Sequence, residues 1–354
     1  RLYCFINKRI KLIMAFTTID KSTDYFNTKL YTGNGSVGTA LTTGTFQPDF
    51  CWFKNRGTVE NHVLINAIRG ASYNLASNLN RAETNVSDKV SAFTSTGVTL
   101  GSSAETNENN EPLVAWNWKA NGAGSANTDG SINSTVSANT TAGCSIVNYT
   151  GTNATATVGH GLGVAPKMII WKELGNSNDW CVWHTSLSAT QILVLNSTGP
   201  VSSDSNVMGT LPTSSVFSIG QGTRTNRSGG TYIAYCFADI QGYSKFGSYT
   251  GNNNADGPFI YTGFKPAFLL VRNTQIATEY WYMFDNKRLG YNPDNDQMVA
   301  NAVGTDTGNR IDLYSNGFKP IQANSSVNNS QKFIYMAFAA EPLVSSNDVV
   351  ATAR

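Results

Sequence analysis

Gly33-Asn-Gly-Ser-Val-Gly38 carries the G-x-G-x-x-G spacing with which a strand-to-helix turn cradles a dinucleotide pyrophosphate. That chemistry needs a helix to follow. Thr39-Ala-Leu-Thr-Thr-Gly-Thr45 has no helical period, so the motif reads as a turn between strands. Gly159-His-Gly-Leu-Gly163 sets a histidine in a loop, but catalysis would need an acid and a nucleophile beside it, so it also reads as a turn. His62 and His184 lie near strand-like runs and read as half-buried or surface residues. Tyr291-Asn-Pro-Asp-Asn-Asp296 offers oxygens suited to Ca²⁺, with an Asx-rich turn as the favoured reading. Of the cysteines Cys4, Cys51, Cys144, Cys181 and Cys236, none forms a C-x-x-C pair, and no histidine sits at metal-ligand spacing. Cys51 and Cys236 fall in apolar runs and read as small hydrophobes. No G-x-S-x-G occurs, and no carboxylate recurs at a fixed position to form a glycosidase pair. The expectation is no catalytic residue, no metal site and no cofactor.

Aromatic residues offer another chemistry, the stacking of a ring on a sugar face. Tyr280, Trp281 and Tyr282 are consecutive, so a strand would point Trp281 away from its neighbours. One face of that strand would then carry an aromatic outside the main core or at a domain contact. These three residues are the expected ligand-binding patch. Trp116, Trp118, Tyr235, Phe237 and Phe338 instead fall in late strands where alternation predicts a core face.

The elements that must position these residues come in threes. Tyr-Thr-Gly begins at Tyr31, Tyr149 and Tyr249, and Pro48, Pro166 and Pro266 each follow 17 residues later. Lys54, Lys172 and Arg272 stand six residues after the prolines. Trp118, Phe237 and Phe338 close the units, with apolar Val98, Phe217 and Phe318 twenty residues before them. A spacing kept over three copies means one structural unit used three times, which points to spacing, avidity or assembly rather than catalysis.

Short runs such as Phe50-Cys-Trp-Phe-Lys54, Lys167-Met-Ile-Ile-Trp171 and Ala267-Phe-Leu-Leu-Val271 are β-prone and separated by Gly, Asn, Ser and Asp clusters. Long amphipathic helical stretches are absent. The expected fold is all-β: three tandem β-sandwich domains, jelly-roll or concanavalin-like. Residues 1–13 read as upstream sequence in frame, followed by repeat 1 over 14–120. A polar linker over 121–142 carries at most one edge strand and any hinge. Repeat 2 spans 143–240, and repeat 3 spans 241–354 and packs rigidly on it.

At 354 residues the chain is long enough for two or three cores. Hydrophobic residues are 40% of it and charged residues 14%, so Asn, Ser, Thr and Gly must dress the surface. A net charge of +2, with scattered Lys and Arg, does not suggest nucleic-acid binding. No run of about 18 apolar residues exists to insert as a membrane helix.

Tyr31-Thr-Gly-Asn-Gly35, Phe46-Gln-Pro-Asp-Phe50 and Val114-Ala-Trp-Asn-Trp118 resemble a repeated β-domain of marine tailed-phage virion proteins. So do Asn127-Thr-Asp-Gly-Ser-Ile132, Val158-Gly-His-Gly-Leu-Gly-Val-Ala-Pro-Lys167 and Tyr235 through Gly251. Gly263-Phe-Lys-Pro-Ala-Phe268, Trp281-Tyr-Met-Phe-Asp285 and Tyr335-Met-Ala-Phe-Ala339 extend the resemblance over the rest of the chain. It implies a structural virion component: tail fibre, tail or head decoration. Its partners would be other virion proteins, further copies in a homo-oligomer (a trimer by analogy) and a host-surface glycan. The family offers no catalytic residue to carry over. The alternative is a secreted or cell-surface carbohydrate-binding protein, which the N-x-S/T triplets at Asn85, Asn139 and Asn196 would suit.

Overall fold

The structure, a computed structural model, describes residues 17–288, 292 and 295–344. The expectation for residues 1–13 lies outside the described residues, as do parts of the 291–296 loop.

The fold is all-β and sandwich-type. Among the described residues helix is limited to single turns at Ser22–Asp24, Ala104–Asn107 and Thr223–Asn226. The first unit has a six-stranded antiparallel sheet in the order Phe26–Thr32, Pro112–Trp118, Phe50–Asn55, Val63–Asn66, Gly70–Leu75, Thr84–Asn85. A smaller sheet of Thr39–Thr42, Gly97–Leu100 and Val90–Thr94 covers it. The third unit repeats this order with Ser244–Thr250, Lys332–Pro342, Phe264–Asn273, Trp281–Asp285, Asp296–Val299 and Thr307–Asn309. Its small sheet is Ile260–Tyr261, Gly317–Pro320 and Ile311–Tyr314.

The second unit's large sheet has eight strands. Six follow the common order: Cys144–Thr150, Thr231–Phe237, Met168–Glu173, Cys181–His184, Gln191–Val194 and Ser202–Ser203. The two extra strands, Ser125–Asn127 and Ser134–Asn139, come from the stretch expected to be a polar linker. Ser134–Asn139 pairs along its whole length with Cys144–Thr150, and Ile132 and Val136 are buried. The polar side chains of that stretch face out or are bonded, and two apolar ones on the inner side suffice to dock it. It is part of the second unit rather than a hinge.

Register aligns the three copies. Phe50 pairs with Trp118, Met168 with Phe237, and Phe268 with Phe338. Each proline lies two residues before that pair. Pro48 and Pro166 precede their strands, and Pro266 sits in its strand at a register shift, where a missing N–H breaks no regular ladder. Val98, Phe217 and Phe318 occupy matching places in the small sheets, opposite Leu41, Val158 and Ile260, and are fully buried.

The post-proline strands are buried along their whole length, as with Phe50–Asn55 and Met168–Glu173. Cys51 and Phe53 join Leu41, Val98, Leu100 and Ala115 between the two sheets of the first unit. Phe50 and Trp52, on the other face, join a cluster drawn from all three units. A strand with two buried faces shows a continuous apolar run rather than an alternating one. The closing aromatics meet in that shared interior. Ring centroids are 6.4 Å apart for Trp118 and Phe237, 5.9 Å for Phe237 and Phe338, and 5.7 Å for Trp118 and Phe338.

Candidate functional site

The repeated motifs resolve into scaffolding. In Tyr-Thr-Gly, the hydroxyls of Tyr31, Tyr149 and Tyr249 donate to the carbonyls of Thr106, Thr225 and Val327 at 2.6, 2.6 and 2.7 Å. The next residues, Asn107, Asn226 and Asn328, are fully buried. Their amide oxygens accept the backbone N–H groups of Asn34, Thr152 and Asn252. A Cβ on Gly33, Gly151 or Gly251 would lie 2.1, 2.4 or 2.0 Å from a backbone carbonyl oxygen, so only glycine fits. Sequence reasoning missed the asparagines, although they stand 11, 11 and 10 residues before the closing aromatics.

The recurring cations are also structural. Lys54 Nζ donates to the carbonyls of Asn55 and Thr58, and Lys172 Nζ to those of Glu173 and Asn176. Arg272 donates to the carbonyls of Glu279 and Gly199. Burial lowers both lysines to about 8 and Arg272 to about 10. The Lys54 and Lys172 side chains tie down the turn after their strand. Arg272 also reaches the second unit.

Equivalent residues join the units at three seams. His62, Trp180 and Trp281 each precede or open the strand after the recurring cation. Trp180 Nε1–H donates to the carbonyl of Ala76 at 2.9 Å, and Trp281 Nε1–H to that of Val194 at 3.0 Å. His62 Nε2 lies 2.9 Å from the carbonyl of Val299. The acceptors are equivalent too, since Cys181 pairs with Val194 and Tyr282 with Val299. A second set crosses the same seams. Asn66 Nδ2–H donates to the Tyr235 hydroxyl, His184 Nε2 meets the carbonyl of Tyr335, and Trp116 Nε1–H donates to Asp285 Oδ2. Units one and two, two and three, and three and one are thus joined by matching contacts. The chain closes a ring on itself.

Electrostatics follow burial. His62 is lowered to about 3 and His184 to about 4, chiefly by desolvation, so both are neutral. With Trp52 Nε1–H donating to His62 Nδ1, the Nε2 of His62 carries the proton toward Val299. His160 is likewise lowered by burial and accepts the N–H of Leu162 within the Gly159–Gly163 turn. Burial pushes the Asp285 carboxyl up, but Arg288 at 2.6 Å outweighs it and holds the carboxylate ionised. Cys51, Cys144, Cys181 and Cys236 are free and buried, and desolvation raises their thiols, Cys181 to about 12. Among the described residues no group of three or more His, Cys, Asp or Glu is placed to hold a metal ion. Gly38 leads into the strand Thr39–Thr42, not a helix. In the 291–296 loop, the side chains of Asn292 and Asn295 bond the carbonyls of Leu313 and Ile311.

The expected aromatic patch is largely interior. Trp281 is 1% exposed, and Arg272 stacks 5.7 Å from its ring. Tyr282 is 5% exposed, bonded to Glu279 and Ser326, with Arg310 over its ring. Only Tyr280, at 38%, reaches solvent. Alternation correctly places Trp281 and its neighbours on opposite faces, but the face outside its own sandwich is covered by the second unit. Trp281 is therefore at a domain contact.

A family model described as a domain of unknown function, DUF7483, matches residues 21–342. No curated protein and no solved structure matches.

Proposed function

From the premise that the chain belongs to the DUF7483 family, we propose that it is a non-catalytic structural module of a tailed-phage virion, in a tail fibre, tail or head decoration. The observation that carries the structural reading is the use of the recurring residues. Tyrosines, glycines, asparagines, cations and closing aromatics all hold a unit together or hold it to its neighbours. Among the buried titratable groups of the seams, His62, Asp285 and Arg288 are all bonded in that work. The virion assignment is supported by the sequence resemblance set out above.

In this reading the chain is a rigid block that displays loops around a closed ring. Its partners are other virion proteins, and further copies in an oligomer would add avidity. Because the three units complete one another's interiors, oligomerisation is not needed to finish the fold. The test is to purify particles and locate the protein by mass spectrometry and immunogold labelling. A fixed copy number per particle, resisting salt washes, is expected. Recovery only from the host-cell envelope or medium would refute the assignment and favour the cellular carbohydrate-binding alternative.

A further inference from the structure

The three copies serve as controls for one another, and at one place they part. Consider the trough between the first residues of the unit's opening strand and the end of its first small-sheet strand. In the first unit Asn27 closes it by donating to the carbonyl of Thr43. In the second unit the strand Ser134–Asn139 closes it. Ala138 pairs with Ser145, and both it and Val136 lie against Gly161, while Ser134 Oγ donates to the carbonyl of Gly159. In the third unit the equivalent residues are Lys245, Tyr261, Thr262 and Gly263, and nothing among the described residues fills the space. A cleft of about 370 Å³ remains, lined also by Asp239 and Gln241.

None of its distinctive side chains recurs. Lys245 stands where the other units have Asn27 and Ser145, and Tyr261 where they have Thr42 and Gly159; Asp239, contributed by the end of the second unit, stands where the first and third have Ala120 and Ala340. The scaffold therefore does not require them. Tyr261 is 53% exposed and the hydroxyl end of its ring lies beside Gly263, where a Cβ would come 3.6 Å from the hydroxyl and 3.7 Å from the ring. Asp239 is held in place by the N–H of Phe246 at 2.8 Å.

We infer that this cleft binds a hexopyranose, as the terminal residue of a glycan. The volume falls within the range of small-molecule sites. An aromatic face suits the apolar C–H face of a pyranose. A carboxylate, an ammonium and an amide around it supply acceptors and donors together, matching hydroxyls that act as both. A phosphate would meet the Asp239 carboxylate, and a purely apolar ligand would leave the polar rim unpaired.

The inference extends the display reading above, yet its test uses isolated protein and so fails or succeeds apart from virion location. Saturation-transfer NMR on the full chain would use the methyl glycosides of glucose, galactose, mannose and N-acetylglucosamine. Millimolar binding of at least one is expected. Tyr261→Ala should weaken it about tenfold or more, by analogy with stacking on exposed rings, and Lys245→Met should weaken it too, both with unchanged melting temperature. Tyr280→Ala, at the other exposed tyrosine among the described residues, should leave binding intact. No transfer to any of the four sugars, or equal binding by Tyr261→Ala, would overturn the assignment.

Discussion

Phe338→Ala probes the point where the units meet. The ring is 1% exposed and contacts five others: Phe26 at 5.4 Å, Trp118 and Tyr243 at 5.7 Å, Phe237 at 5.9 Å and Phe246 at 6.1 Å. Truncation removes about 1.5–3 kcal/mol of transfer free energy. It also leaves a cavity that rigid neighbours cannot fill, which brings the usual cost to about 3–5 kcal/mol. Partners come from all three units, and four of the five, Phe26, Trp118, Phe237 and Phe246, are held in sheets, so the site collapses poorly and the upper half of that range is expected. For a chain this long unfolding as one unit, that loss should lower the melting temperature by roughly 4–7 °C. Differential scanning calorimetry distinguishes the two architectures. A shared interior predicts one transition, shifted as a whole in the mutant. Independent sandwiches predict that only the third unit's transition moves while two stay at wild-type temperature. That second pattern, or no shift at all, would refute the argument for a common core.

Trp281→Phe keeps the apolar bulk but removes the donor to the Val194 carbonyl, which should cost about 1–3 kcal/mol in urea unfolding. Asp285→Ala strands Arg288 without its nearest partner and orphans Trp116 Nε1, and a loss of about 3–5 kcal/mol is expected by chemical denaturation. Tyr249→Phe deletes one buried bond to Val327 and should cost about 1 kcal/mol, with the unfolding slope unchanged. For pH, His62 and His184 are held neutral in the native state but take protons near 6.5 when unfolded. Stability must therefore fall as pH drops from about 6.5 toward 4 and below, by about 2–3 kcal/mol per histidine at pH 4.5. His184→Gln should flatten that acid limb of a stability–pH curve; a mutant curve as steep as wild type would rule His184 out as a source.

The sequence made the unit legible because strand spacing, post-proline starts and closing aromatics are local and repeated. The pairing of Phe50, Met168 and Phe268 with the closing aromatics follows from them. The shared interior was not legible. It depends on contacts between residues more than a hundred positions apart, such as Trp180 with Ala76, and these leave no period in the chain. The same gap explains Trp281: its outward parity is legible, but whether that face is an open patch or a domain contact depends on the second unit, which covers it. Ser134–Asn139 looked like a linker because only Val136 and Ala138 mark its inner side. Its docking depends on the exposed edge of Cys144–Thr150, which composition does not reveal. The open cleft beside Tyr261 became visible only by comparing three folded copies.

Two of the seams join units that follow one another in the chain; the seam between the third and first does not. That seam contains, among the described residues, the ion pair that crosses between units, Arg56 with Asp306, and Asp306 is also held by the buried Arg288–Asp285 pair beside Trp116. Under mechanical load the difference matters. Tension applied through Thr17 and Pro342, which lie side by side against Gly242, would pull first on this seam, the one the backbone does not bridge. Opening the ring into a row there would mean breaking the Arg56–Asp306 clasp.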